Sequence, residues 1–198
     1  MKVHRCLMGI IICMALSTAN AAPSPIALLQ SISNQLMIQL EKKQTEIHHN
    51  PTVLNQIIHR VLIPHVNQTR MAQYVVGRQY WQRSTDVERS LFIQYFTDVL
   101  IRTYAHALKV YSSQKIKFYQ RGHSHQRIVN VYASITPTQG PIFEVVYQML
   151  YERGAWRIID FSVDGVSLVH SYREQFAETL SQGGLKALVK VLKKSNLT

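Results

Sequence analysis

Cysteine occurs only twice in this chain of 198 residues, at Cys6 and Cys13. From residue 22 onward there is none, which excludes a disulfide, a thiolate nucleophile and a Cys-ligated zinc from that part. A fold without cross-links rests on its core, and a chain of this length buries ~70% of its unfolded surface. Acidic residues are also scarce, 11 against 22 Lys+Arg. The 8 glycines form no phosphate-binding loop. No apolar run reaches the ~18 residues that suggest a membrane span, so a multi-span membrane protein is excluded. There is no Gly-X-Y period, low-complexity tract or internal repeat. At 46% hydrophobic residues the chain is not mainly disordered, and its length fits one domain.

The opening segment reads as a secretory signal peptide, residues 1–21. Lys2 and Arg5 make its positive start. Cys6 to Leu16 is uncharged and mostly apolar, but too short to span a bilayer at ~20 residues. Ala19-Asn20-Ala21 has the small-x-small form that signal peptidase cuts, so cleavage is expected after Ala21. Both cysteines leave with that segment. Residues 22–198 remain as a single domain.

The charge is uneven. No Asp or Glu lies between Ile47 and Thr85, where Arg60, Arg70, Arg78 and Arg83 sit with four histidines. None lies between Val99 and Phe143, a stretch holding Arg102, Lys109, Lys115, Lys117, Arg121 and Arg127. Lys186, Lys190, Lys193 and Lys194 add to the tail. Such a surface suits an anionic partner or simply aids solubility. Export and the lack of any nucleic-acid motif argue against nucleic acid.

Residues 24–113 read as helical. Ile26, Leu29, Ile32, Leu36 and Leu40 recur at three and four residues over Pro25–Glu46, with Ser24 as cap. Asn50 and Pro51 open a second helix carrying Val53, Ile57, Ile58, Val61 and Leu62, which Pro64 is expected to end. A third spans about Asn67–Val76 with Gly77 behind it, and Tyr80-Trp81 begins a short fourth. Ser84 or Thr85 caps the longest helix, which runs to about Ser112. Its apolar face, from Leu91, Phe92 and Phe96 through Leu100 and Tyr104 to Leu108 and Tyr111, is too wide for burial on one side.

Residues 114–164 switch to a period of two. Four strands are expected: Lys115–Arg121, Arg127–Thr136, Ile142–Glu152 and Ala155–Val163, joined by turns at 122–125, 137–141 and 153–154. Short connections imply an antiparallel meander. Phe143, Val145, Tyr147, Met149 and Tyr151 share one face. Val146, Leu150, Trp156 and Ile158 are assigned to the opposite one. Asp164-Gly165 ends the sheet. Two C-terminal helices follow within 167–196, broken at Gly183-Gly184. The expected class is α+β: a four-stranded twisted antiparallel sheet wrapped by about six or seven helices.

Catalytic constellations are weak. Ser167, His170 and Asp160 or Asp164 offer the types of a hydrolase triad, but Gly165-Val166-Ser167-Leu168-Val169 lacks the second glycine of a nucleophile elbow. Ser167 fits better as a helix cap. His48-His49 and His123 with His125 lack a second ligand pair at metal-binding spacing. Glu144 and Asp160 suit paired carboxylates or cross-strand ion pairs with Arg127 or Arg157. The chain is therefore read as no enzyme, with no metal and no cofactor.

Three stretches carry a resemblance. The first is Val61-Leu62-Ile63-Pro64-His65-Val66-Asn67, then Met71-Ala72-Gln73-Tyr74-Val75-Val76-Gly77 and Tyr80-Trp81. The second is Arg89-Ser90-Leu91-Phe92 with Phe96, Leu100 and Thr103-Tyr104-Ala105-His106-Ala107-Leu108. The third is Trp156-Arg157-Ile158-Ile159-Asp160-Phe161, then Gly165-Val166-Ser167-Leu168-Val169 and Tyr172-Arg173-Glu174-Gln175-Phe176. Their order and spacing, over roughly Pro51 to Leu192, resemble the MlaC-like, or toluene-tolerance auxiliary, family. This is the periplasmic phospholipid-binding component of the bacterial outer-membrane lipid-asymmetry system. Asn67 departs from the Asp many relatives have there.

The resemblance implies a monomeric periplasmic carrier with phospholipid as cargo. It implies exchange with an inner-membrane ABC transport complex, through a ring of lipid-binding domains, and with an outer-membrane lipoprotein–porin complex. It also implies an apolar lipid cavity between sheet and helices. The residues expected to line it are Met71, Val75, Trp81, Phe96, Leu100, Tyr104, Val131, Val145, Tyr147, Phe161, Val163 and Val166. The competing readings are a small-pocket isomerase-like enzyme with Asp160 as base, and a periplasmic chaperone with exposed apolar grooves.

Overall fold

The structure, a computed structural model, describes residues 24–111, 114–122, 126–138 and 140–196. The expected signal peptide, the His123/His125 pair and the side chains of Leu108 and Tyr111 lie outside the described residues.

The helical half opens with α1, Pro25–Lys42, capped by the Ser24 hydroxyl, which accepts from the Ala27 N–H at 3.1 Å. Leu29, Ile32, Leu36 and Leu40 are its buried stripe. The expected continuous helix to Glu46 divides at Lys43, whose φ of −109° and ψ of 17° leave the helical region. A short α2, Gln44–His49, follows. In α3, Thr52–Val61, the buried Leu54, Ile57, Ile58 and Val61 repeat the amphipathic pattern. Asn50 accepts from the Thr52 N–H at 3.0 Å, as its side chain suggests. Pro64 does not end a helix. It lies inside a 3₁₀ turn, Ile63–His65, where its missing N–H costs no hydrogen bond.

α4, Gln68–Val76, is capped by Asn67, which accepts from the Arg70 N–H at 2.8 Å. Gly77 joins it to α5, Arg78–Arg83, with a φ of 80° that favours glycine. Thr85 and Glu88 form a reciprocal capping box: the Glu88 N–H donates to Thr85 at 3.2 Å and the Thr85 N–H to Glu88 at 2.9 Å. It opens α6, Asp86–Tyr111.

The sheet has five strands, not four, in the order β1-β2-β3-β4-β5, with every neighbouring pair antiparallel. They are β1 Lys115–Tyr119, β2 Ile128–Thr136, β3 Phe143–Glu152, β4 Ala155–Val163 and β5 Val166–Ser167. The extra strand arises because Asp164-Gly165 is a two-residue hairpin loop and does not end the sheet. Both residues have positive φ, 48° and 83°, which matches the twist of paired strands. The chain turns straight back, and Val163 pairs with Val166. The following helix, α7, Leu168–Asn196, therefore starts one residue later than expected. It breaks at Gly183-Gly184, where both residues leave helical geometry and Gly184 takes a φ of 62°.

A β-bulge corrects one face assignment. Gln148 pairs with Asp160 but Met149 pairs with Ile158, so Ile159 is an extra residue. It reverses the alternation along β4. Ile158 and Trp156 consequently share the face of Met149 and Tyr151, and Phe161 and Val163 share that of Tyr147 and Val145. One face of the sheet is thus apolar along its whole length.

Candidate functional site: an apolar seam between the long helix and the sheet

The buried side chains fall into three clusters. The first is helical and joins Met71, Val75 and Trp81 to Phe92 and Phe96 of α6 and to Tyr172, Phe176 and Leu188 of α7. The second packs α1 and α3 with Ile101 and Ala105 of α6 against Val129, Val131, Met149 and Ile158. The third, Ala133, Ile135 and Val145, is bordered by Ile116, Phe118, Phe143, Tyr147 and Phe161. Every described member of this third cluster is a strand residue.

Helix geometry explains how α6 serves two clusters. At about 100° per residue, Ile101 and Ala105 project about 180° away from Phe92 and Phe96. Leu100 and Tyr104 fall between the two directions, as does the buried Thr97. The opposite flank carries Arg102 and His106, both exposed. The sheet-ward flank meets β4: the Tyr104 and Phe161 rings pack edge-on with centroids 5.5 Å apart. Tyr147 lies beside Phe161 at 6.5 Å and beside Phe118 at 6.4 Å. Phe161 borders the first and third clusters, while Phe118 and Tyr147 border the second and third. The three clusters converge on these rings.

Tyr147 has the most unusual environment. Burial pushes its phenol up to about 12. It is nevertheless only partly covered. Its hydroxyl has no hydrogen-bond partner among the described residues. Among those residues, no fully sealed side-chain polar atom lacks a partner. The Tyr147 oxygen must therefore border space that a water-sized probe enters. Tyr104 behaves similarly, its phenol raised by burial and then by Tyr172.

The expected lining residues occupy three kinds of place. Tyr104, Tyr147 and Phe161 come together at the seam, Val131 and Val145 flank Tyr147 on the sheet, and Leu100, one turn before Tyr104, packs at the edge of the helical cluster. Met71, Val75, Trp81 and Phe96 sit in the helical cluster, away from β3. There Phe96 packs on Tyr172 at 5.1 Å and stacks on Phe92 at 5.3 Å. Val163 and Val166 are 38% and 64% exposed and, paired with each other, form an apolar rim where the sheet ends. Phe118, Ile116 and Ile135 are seam neighbours that the sequence reading did not single out. Their alternation with Lys115, Lys117 and Ser134 was a usable signal.

The polar residues of the three motif stretches secure helix ends. The Asp160 carboxylate accepts from the Phe161 N–H at 2.8 Å, the Val169 N–H at 3.1 Å and the Ser167 hydroxyl at 2.5 Å. Ser167 in turn accepts from the His170 N–H at 3.1 Å, which makes it the cap of α7. Asp160 is thus engaged in holding a helix start, a poor position for a general base. Arg173 donates to the Tyr74 carbonyl in the last turn of α4. Arg89 donates to the Trp81 carbonyl at 3.1 Å and lies 5.5 Å over its ring. Asn67 donates to Glu152. Glu144 pairs with neither Arg127 nor Arg157 but accepts from Tyr119 and from Arg121, the latter at 2.9 Å. The described residues contain no group of three or more metal-ligating side chains and no helix long and apolar enough to cross a membrane. A polar cleft of about 200 Å³ beside Asn55, His59, Asp98, Ile101 and Arg102 lies apart from the seam.

The chain is thus an α+β protein whose antiparallel sheet turns one apolar face toward its helices. The comparisons place it in a family. The MlaC protein family matches residues 30–194, and the chain belongs to it. It is 26% identical, over 182 residues, to the intermembrane phospholipid transport system binding protein MlaC of Haemophilus influenzae; the match covers 90% of this chain and 85% of that protein. It is 23% identical to the toluene tolerance protein ttg2D of Pseudomonas putida, over 83% of this chain and 76% of that one. In fold it resembles the phospholipid-binding protein of Ralstonia solanacearum, solved in complex with a phospholipid. The TM-score is 0.79 at 23% identity, over 86% of this chain and 96% of that chain.

Proposed function

We propose that this chain is a phospholipid carrier that holds acyl chains in the seam between α6 and the sheet, without catalysis. The observation that carries this reading is the continuous apolar face of the sheet, on which the partly accessible Tyr147 lies between the rings of Phe118 and Phe161, with Tyr104 of α6 packed on Phe161. Family membership and the names of the relatives support it.

The energetics suit a carrier. Each buried CH₂ is worth ~0.8 kcal/mol, so a sixteen-carbon chain represents roughly 12 kcal/mol against water. Two such chains would exceed the ~18–21 kcal/mol ceiling of noncovalent affinity if water were the alternative. The bilayer is the real competitor, and it also hides the chains. Apolar walls therefore bring exchange close to balance, as delivery in either direction requires. We place the protein in the periplasm as a monomer, after cleavage behind Ala21. Its partners in this reading are an inner-membrane ABC transport complex and an outer-membrane lipoprotein–porin complex. Exposed Arg60, Arg78, Lys186 and Lys190 supply positive charge for docking on acidic protein faces or anionic head groups.

The test is to export the full coding sequence in a bacterial host and purify without detergent. Native and denaturing mass spectrometry then read bound lipid and intact mass. Stoichiometric diacyl phospholipid is expected. A lipid-free protein that also takes no lipid from vesicles overturns the reading. Val166→Glu places a charge on the exposed rim; it is expected to lower lipid occupancy severalfold with an unchanged thermal midpoint.

A further inference from the structure

Apolar walls hold acyl chains but do not fix how deep they sit. One group at the seam does more than exclude water. The Tyr147 hydroxyl is carried on the middle of β3, between Val131 on β2 and Phe161 on β4, so sheet pairing on both sides fixes its backbone. Its ring is held by Phe118 and Phe161. Its oxygen is not sealed from solvent-sized probes and has no partner among the described residues. Two other semi-buried hydroxyls of this sheet donate to carboxylates, Tyr119 to Glu144 and Ser167 to Asp160. A phenol is a good donor, and an apolar surrounding strengthens any hydrogen bond it makes while making an unmade one costly.

Resting on the lipid-carrier reading, we propose that the Tyr147 hydroxyl donates a hydrogen bond to an acyl-ester carbonyl of the bound lipid. This is the polar group an acyl chain brings into an apolar cleft. The contact would set the depth of the glycerol backbone and leave the head group toward the Val163–Val166 rim. It would also give selectivity for ester-linked over ether-linked chains, because an ether lacks the carbonyl acceptor. Tyr147 is then a specificity-determining residue on an otherwise apolar wall. The missing hydrogen bond corresponds to about a fivefold to tenfold preference.

The experiment incubates the lipid-stripped protein with vesicles containing equal amounts of diester and diether phosphatidylglycerol of matched chain length. The bound ratio is read by mass spectrometry for wild type and for Tyr147→Phe. A wild-type ratio of about five or more, falling to about one in Tyr147→Phe, supports the proposal. A wild-type ratio near one, or a preference that survives in Tyr147→Phe, overturns it. If the variant fails to fold, the wild-type ratio still decides, since equal uptake of both lipids contradicts a carbonyl contact. Wild type that takes neither lipid defeats the carrier reading itself, and this inference with it.

Discussion

The cluster between α4, α6 and α7 and the seam between α6 and the sheet are both apolar and aromatic, yet they are packed differently. In the first, Phe92, Phe96, Tyr172 and Phe176 touch one another at centroid distances of 5.1 to 6.3 Å, and all four are buried. In the second, Tyr104, Tyr147 and Phe161 are spaced at 5.5 and 6.5 Å and remain partly accessible. The helical cluster is a filled core that fixes α7 on α6. The seam is an apolar wall whose rings stay partly accessible. Apolar composition is common to both; only packing separates a core from a binding surface.

The largest effect that tests this contrast is Phe96→Ala. A truncation in the filled cluster is expected to cost about 3–5 kcal/mol in denaturant unfolding, because both the contacts and the volume are lost. A loss under 1 kcal/mol would mean that this cluster, too, is loosely packed. Next comes Asp160→Ala, which strips the acceptor from two N–H groups and from the Ser167 hydroxyl. A loss of about 1–3 kcal/mol is expected, with no change in bound lipid beyond what instability explains. A smaller effect is alkaline. The Tyr147 phenol stays protonated up to about 12 in the fold but ionises near 10 when unfolded. The native state therefore binds more protons between those values, and stability falls as pH rises through that window. Two pH units set a ceiling of about 2.7 kcal/mol, which partial exposure of the ring reduces, and Tyr147→Phe is expected to flatten that part of the profile. An identical alkaline slope in the variant would place Tyr147 in an ordinary solvated site.

Much of the fold was legible because its signals are local. Ser24, Asn67 and the Thr85–Glu88 pair announce helix starts, and each forms the bond its position predicts. The alternation of Val129, Val131, Ala133 and Ile135 marks the inner face of β2. Two features escaped. Asp164-Gly165 is a hairpin sequence, but the strand behind it is only two residues long and too short to show a period. The bulge at Ile159 carries no glycine or proline to betray it, yet it moves Trp156 and Ile158 to the apolar face. The division at Lys43 likewise has no helix-breaking residue. Among site residues, the sequence identified apolar positions but not which of them face a filled core. Phe96 and Leu100 lie one turn apart on α6 with similar neighbours in sequence. Phe96 is sealed by the rings that α7 brings to it, Tyr172 and Phe176, and no residue near either position encodes that.

The most direct measurement is photocrosslinking with a phospholipid carrying a diazirine midway along one acyl chain, followed by peptide mapping of the labelled protein. Labels on the α6 segment around Leu100–Tyr104 and on β3 and β4 around Tyr147 and Phe161 are expected. Labels confined to Phe92, Phe96 and Tyr172, or to the outer surface, would contradict a binding seam between α6 and the sheet.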